Sequence, residues 1–438
     1  MNSLAPKPIL YIFLLSLTLR LIFFVFIYDH PERAFEPDSF GYVRLAESLL
    51  DTQTFPSIFR TPGYPFFIAT IYSIFGKFPQ TVLLFQYFFD SLTALFVVFI
   101  FMKISGHARY SYMAGLIYAA NPFAIFYSGM MLSETLFGFL LLIAVYFFIL
   151  SLKSHKKKRY FIISAFFLAL GTLCRPISLF LPLLIAPFTL LGKFPLREKL
   201  LHLLLFIMVF IISIAPWFLR NYQNYGRCTL STVSDINIFY YEAPAIKLVN
   251  DTPLLIFHVG CNKSFEIVQK NFWDKIKIKY NWNDKSPFSI SNDILKTDIL
   301  RKEGLIVIKE NVLSFLLVHS NGLARTLFPF YPHFEKIFGY DLKTIKITSS
   351  AIDVAITGLF LFGIFSLLWD KPEIASNKTS IVFMMIIIFY FSFLPGLAGY
   401  SRFKVPILPY ISIFSALGFW RICELFRVRK KRISQIRR

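Results

Sequence analysis

Ionisable side chains are scarce in this chain, and several of those at the ends of its apolar runs fall in a few short stretches. The longest is "EPDSFGYVRLAESLLDTQTFPSIFRTPGYPFF", which holds Glu36, Asp38, Tyr42, Arg44, Glu47 and Arg60. Further on, "LSETLF" supplies Glu134 and "LCRPIS" supplies Arg175. "APWFLRNYQNYG" adds Trp217, Arg220 and Asn221, and "GYSRFKVPILPY" adds Tyr400, Arg402 and Lys404. A carboxylate can take a proton as a general base. The planar fork of arginine binds phosphate bidentately. Acids and arginines gathered on one face therefore point to a site for an anionic headgroup. Each residue also has a plainer use. Asp38 can cap the helix "SFGYVRLAESLL". Glu134 can cap a helix or pair with an arginine. Arg220 and Arg402 can reach up to lipid headgroups.

The composition says what must position these groups. Of 438 residues, 56% are hydrophobic and only 16% charged, where soluble proteins carry roughly 25% charge. Mean hydropathy is +0.60, and the chain holds 54 Phe. This is the composition of a membrane protein. The apolar runs predict an all-α polytopic bundle of about ten transmembrane helices, near 8–28, 80–102, 110–128, 132–152, 160–174, 177–192, 200–218, 346–369, 379–396 and 405–426. The first run is long enough to span and has no small-residue cleavage site after it, so it reads as a retained helix.

The net charge of +21 is explained by placement. "KISGHARY", "KSHKKKRY", "KFPLREK" and "RVRKKRISQIRR" lie in alternate connections and at the end of the chain. The positive-inside rule puts these, and both termini, in the cytoplasm of a plasma (inner) membrane protein. A nucleic-acid partner is not called for. "PGYPFFIATIYSIFG" is too short to span and reads as a re-entrant or interfacial helix. Residues 29–79 then form one outer loop, and 219–345 a small mixed extracytoplasmic domain. The division is 1–218 for the N-terminal transmembrane module, 219–345 for the outer domain, and 346–438 for the last membrane helices with the basic tail. The last part of the outer domain, "LIVIKENVLSFLLVHSNGLARTLFPF", reads as an amphipathic helix at the membrane surface. Cys228 and Cys261 both fall in that domain, where a bridge can persist; a bridge and two free thiols are equally compatible with the sequence. No zinc-type His/Cys spacing, P-loop or GxGxxG occurs.

As a set, "DSFGY", "RTPGYPFF", "SETLF", "CRP", "PWFLRNYQNYG" and "RFKVPILPY" resemble the GT-C class of glycosyltransferases that use polyprenyl-phosphate sugars. The resemblance is to the bacterial branch related to the protein O-mannosyltransferases and the lipid A aminoarabinose transferase, and it runs over nearly the whole chain. Where the eukaryotic mannosyltransferases carry an adjacent Asp-Glu pair, this chain has Ser39 after Asp38, with Glu36 as the other nearby acid. The resemblance implies a GT-C-like bundle and a hexosyl or pentosyl transferase. Its donor is a polyprenyl-phosphate-linked sugar and its acceptor a hydroxyl on a glycan, lipid or protein. Asp38, with Glu36 beside it, is implied as the catalytic acid pair, Asp38 being the base. Arg60, Arg175, Arg220 and Arg402 are implied to bind the donor phosphate, and Tyr42, Tyr64, Glu134, Trp217 and Asn221 to contact substrate. No cofactor is specified, and a divalent cation is left open. The rival readings are a transporter or flippase for a lipid-linked oligosaccharide and a glycan polymerase or ligase.

Overall fold

The computed structural model describes residues 4–152, 157–191, 195–251, 263–328, 338, 343–369, 377–396 and 401–436. Among them every regular element is helical. The first helix, α1 (Pro6–Tyr28), shows how the bundle is built. Its buried residues are Ile12, Ser16, Arg20, Phe23 and Ile27, spacings of three and four that make one stripe. The opposite face exposes Leu10, Tyr11, Leu14, Ile22 and Val25, as a surface against lipid must.

Two short helices follow, α2 (Pro37–Asp51) and α3 (Gly63–Phe75). Next come α4 (Pro79–Ser105), α5 (Ala108–Ala119), α6 (Pro122–Ser128), α7 (Glu134–Ser151), α8 (Lys157–Cys174), α9 (Leu181–Leu190) and α10 (Leu196–Tyr225). A helical insert holds α11 (Val233–Asn237), a π turn at Ile238–Glu242, α12 (Ala243–Asp251), α13 (Lys263–Tyr280), α14 (Ile294–Glu310) and α15 (Val312–Leu327). The chain closes with α16 (Lys343–Trp369), α17 (Lys378–Phe393), a 3₁₀ stretch (Ser401–Ile407) and α18 (Leu408–Ile436).

Six helices among the described residues are long and apolar enough to cross a membrane: α1, α4, α7, α10, Ile347–Leu367 within α16, and Arg402–Arg427 leading into α18. Three shorter apolar helices join them at Gly63–Phe75, Pro176–Leu190 and Lys378–Phe393. The protein is thus an integral membrane protein. The run 110–128 is broken by Asn121, whose side chain accepts from the N–H groups of Phe123 and Ala124 and starts α6 afresh at Pro122. The run 177–192 divides into a 3₁₀ turn at Pro176–Ser178 and the ten-residue α9. Helix α3 has 13 residues, about 20 Å at 1.5 Å per residue, well short of the ~30 Å hydrocarbon core.

Two contacts fix the bundle. Arg20 of α1 is fully buried and meets Asp90 of α4, with Nε 2.6 Å from Oδ2. Its Nη1 donates to the carbonyls of Ser16 and Ala119, and the Tyr118 hydroxyl donates to Asp90 Oδ1 at 2.5 Å. Helices α16 and α18 cross through Gly363 and Gly418, where an added Cβ would lie 2.1 Å from the carbonyl oxygens of Phe414 and Leu359. That is the small-residue contact expected between membrane helices.

The insert buries two apolar clusters of its own. One centres on Ile246, Val249, Phe265, Val307 and Val318, the other on Ile236, Phe239, Trp273, Ile276 and Leu300. Arg227 ties it together by pairing with Asp235 at 2.8 Å and Asp298 at 3.0 Å. Helix α15 is amphipathic, with Val318, His319, Gly322 and Thr326 buried and Val312, Leu313, Leu316 and Leu317 exposed. Cys261 and Tyr400 lie outside the described residues, and with Cys261 the Cys228–Cys261 bridge.

Candidate active site

Helix α2 begins at Pro37, and Glu36 occupies the N-cap. The Glu36 N–H donates to Ser39 Oγ at 2.9 Å, and the Ser39 N–H returns to the Glu36 side chain as a capping box. The cap is therefore Glu36, not Asp38. Asp38 sits in the first turn, where the helix dipole favours negative charge, and its carboxylate is turned to the arginines. Oδ1 accepts from Arg60 Nη2 at 2.7 Å and Oδ2 from Arg402 Nη1 at 2.8 Å.

Behind this pair lies a second acid. Glu134, the first residue of α7, has Oε1 2.6 Å from Arg175 Nη1 and 3.7 Å from Arg402 Nε. Arg402 thus stands between two carboxylates. Arg175 also donates to Ser133 Oγ at 3.2 Å. That hydroxyl lies 3.4 Å from the Tyr42 hydroxyl, which accepts from Arg60 Nη1 at 3.4 Å. Aromatic faces orient the forks. Arg60 lies 4.9 Å from the Tyr42 ring centre and 4.8 Å from that of Phe59. Arg175 and Arg402 flank Phe403 at 5.3 and 5.2 Å.

Three arginines face two acids, so the cluster keeps a surplus positive charge suited to an anion. It is open at one end: Asp38 and Arg402 side chains retain 28% and 29% exposure, while Glu134 retains 2%. Burial alone would raise the Asp38 pKa. The Arg402 and Arg60 charges and hydrogen bonds overcome it and hold the carboxyl well below the usual range. Burial raises the Tyr42 phenol, which stays protonated as a hydrogen-bonding group.

The remaining candidates are placed around this cluster rather than in it. Arg220 donates to the carbonyls of Phe55 and Ser57 and to Asn221 Oδ1. Trp217 Nε1 donates to the Leu230 carbonyl at 3.0 Å, and Asn221 Nδ2 to that of Thr229 at 2.7 Å. Arg220 thus braces the Phe55–Arg60 loop against α10, with the Trp217 ring centre 4.9 Å from that of Phe55, while Trp217 and Asn221 tie α10 to the Thr229–Leu230 backbone. Ser57 Oγ in turn accepts from the N–H groups of Phe59 and Arg60. The insert grips the same loop: Asn292 Oδ1 accepts from the Ile58 N–H, Ser231 Oγ donates to the Phe59 carbonyl, and the Thr232 N–H to that of Ile58. Tyr64 lies beneath Tyr42, ring centres 5.0 Å apart, and donates to Gln86 Oε1. Gln86 Nε2 donates to the carbonyls of Ser128 and Met130, supporting the irregular stretch that leads to Ser133 and Glu134.

Ser133, Phe59 and Phe403 went unassigned in the sequence, although each adjoins a singled-out residue. Gln86 and Asn292 had no such signal. Among the described residues no group of three or more His, Cys, Asp or Glu side chains gathers as metal ligands would.

Gly63 explains the "TPGYP" turn. A Cβ there would lie 2.6 Å from the Cys174 nitrogen and 2.7 Å from the Leu173 carbonyl carbon. The glycine lets α3 start directly against the end of α8, beside the Thr61 hydroxyl, which donates to the Cys174 carbonyl at 3.0 Å. Gly63→Ala should force these backbones apart at a cost of ~1–3 kcal/mol and shift Arg60. A thermal melt of the purified variant checks this, and an unchanged midpoint would refute it.

Among known proteins, the oligosaccharyltransferase structures share the fold of this chain. Residues 59–218 match the model of the family "Dolichyl-phosphate-mannose-protein mannosyltransferase". Among solved structures, the archaeal oligosaccharyltransferase AglB from Archaeoglobus fulgidus, in complex with an inhibitory peptide and a dolichol-phosphate, aligns at TM-score 0.53 with 16% identity. The alignment covers 97% of this chain and 51% of that one. The same enzyme with zinc and sulfate aligns at TM-score 0.52 with 15% identity, over 96% and 50%. ArnT from Cupriavidus metallidurans bound to undecaprenyl phosphate aligns at TM-score 0.41 with 14% identity, over 93% and 77%. The chain spans about half the length of the oligosaccharyltransferase structures it matches. No curated protein matches it by sequence. Over residues 59–218 the chain is thus similar to the mannosyltransferase family, and its all-helical fold is similar to that of the oligosaccharyltransferase AglB.

Proposed function

We propose that the protein moves a sugar from a polyprenyl-phosphate donor to an acceptor hydroxyl at the outer face of the membrane, with Asp38 as the general base. The observation that carries this reading is the clamp of Arg60 and Arg402 on Asp38, with Arg175 and Glu134 behind it. The arginines are the phosphate site and the acid they enclose is the base. The acceptor oxygen attacks the anomeric carbon, and its proton passes to Asp38. The bond from that carbon to the phosphate oxygen breaks, and its electron pair stays on the polyprenyl phosphate. The arginines stabilise that growing charge.

Without donor, both Asp38 oxygens are occupied and the carboxylate is a weak base. A donor phosphate competes for the same guanidinium groups. As they turn to it, Asp38 loses part of what holds its pKa down and becomes able to take a proton. Glu134, held by Arg175, faces the inner end of the site and is placed to accept a sugar hydroxyl. Arg220, Trp217 and Asn221 act at one remove, by holding the loop that carries Arg60.

The test is incubation of purified protein with a polyprenyl-phosphate sugar. Transfer, or slow release of polyprenyl phosphate, supports the reading. Movement of intact donor across sealed vesicles without turnover would make the protein a transporter. Arg60→Ala and Arg402→Ala should each weaken donor binding and turnover tenfold to a hundredfold, since a charge-assisted contact contributes roughly 1.5–3 kcal/mol. Lysine should restore part of the loss, because it keeps the charge without the fork. Unchanged donor affinity in both alanine variants would assign these arginines to lipid headgroups.

A further inference from the structure

Two residues beyond Arg402, Lys404 enters a different environment. It is fully buried. Its Nζ lies 2.9 and 2.8 Å from the two oxygens of Asp353 on α16, 3.1 Å from the Leu327 carbonyl at the end of α15, and 3.3 Å from Thr357 Oγ1. The Phe123 ring covers it at 5.4 Å. An ammonium has three N–H donors, and these partners use all three. Lys404 is therefore no ligand for a donor phosphate, although it adjoins the site in sequence.

We propose that Lys404 is a positioning residue. With Asp353 it pins the Ser401–Ile407 stretch so that the Arg402 guanidinium stands between Asp38 and Glu134. The stretch is a 3₁₀ helix with Pro406 inside it. Such helices have poor hydrogen-bond geometry and shift readily. At three residues per turn, positions 402 and 404 project to different sides, so one face reaches the acids while the other is anchored. An apolar pair of similar volume would fill the same interior with less desolvation cost. What a charged pair adds is direction, because a lysine held at two carboxylate oxygens, a carbonyl and a hydroxyl has one position. The inference rests on the reading of Arg402 as a phosphate ligand.

The experiment compares full-length Lys404→Met, Asp353→Leu and the double variant, each with and without Arg402→Ala. Three readouts are taken: the melting midpoint, binding of a short-chain isoprenyl phosphate, and carbodiimide labelling of Asp38 without ligand. The single variants should melt lower, each leaving a buried charge unpaired, and the double variant should recover most of the midpoint. The recovered variant should still bind isoprenyl phosphate about tenfold more weakly, the scale of one charge-assisted contact. Adding Arg402→Ala should cost it little more, because both changes remove the same contact. Asp38 should label faster in the double variant than in wild type. Wild-type binding and labelling in the double variant would reduce the pair to a fold staple. A further full loss on adding Arg402→Ala would make Lys404 act independently of Arg402. Should wild type bind no isoprenyl phosphate, the phosphate-site reading falls, and the labelling comparison still decides the pin.

Discussion

Asp38→Asn should fold, insert and bind donor, yet lose sugar transfer by at least ~100-fold, the scale of a lost general base. Asparagine keeps the size of the side chain, and one oxygen can still accept from Arg60 or Arg402. It cannot take the acceptor proton. The fold is protected because the cap of α2 is Glu36 with Ser39, so this change does not touch helix initiation. Glu36→Gln preserves the capping geometry and should leave transfer close to wild type. Equal losses in the two variants would mean that the helix start, not the proton, is what matters; near-normal transfer by Asp38→Asn would remove it from catalysis. A pH signature accompanies this. The folded Asp38 carboxyl is held well below its ordinary value, so the ion pairs stabilise the protein above about pH 4, the unfolded carboxyl value. That stability is lost as pH falls through the lowered value, and the variant should lack this acid-dependent component.

The second large effect is expected outside the arginine cluster, at the Arg20–Asp90 pair. Arg20→Met leaves Asp90 buried with only the Tyr118 hydroxyl as partner. Breaking a buried pair typically costs about 3–5 kcal/mol, a large fraction of a protein's net stability. The variant should express poorly and melt well below wild type in detergent. Arg20→Met with Asp90→Leu removes both charges and should recover much of the loss. A single variant that melts like wild type would show that the pair is not holding α1 to α4 and α5.

Much of the site is legible in the local sequence. An apolar run says that a helix spans, and the interruptions at its ends say where polar groups collect. That suffices to single out Asp38, Arg60, Glu134, Arg175 and Arg402, which the structure brings into one cluster. It does not say which helix ends converge. Arg220 looks like Arg402 by that criterion, yet Arg220 is occupied by the backbone of the Phe55–Arg60 loop. Nor does local sequence separate a helix cap from the acid that the arginines clamp. Glu36 and Asp38 both stand at the start of the same helix, and Pro37 at the first helical position decides the frame. Arg20 and Asp90 carry no signal in the sequence, because each is a lone charge within an apolar run, and only the packing of α1, α4 and α5 shows that they meet. The span count was legible as apolar length but not as helix length, since the break at Asn121–Pro122 divides a continuous apolar run.

The loop bearing Arg60 is held on one side by α10 and on the other by Asn292, Ser231 and Thr232 of the insert. The insert is thus not an exchangeable cassette. A chimera that borrowed residues 227–328 from a relative would keep its membrane helices and its acids, yet lose the carbonyl and N–H partners cut to fit residues 57–61. Donor chemistry would fail although no donor residue had been replaced. Exchange of the insert by recombination should therefore succeed only when the short segment around Ser57–Arg60 travels with it.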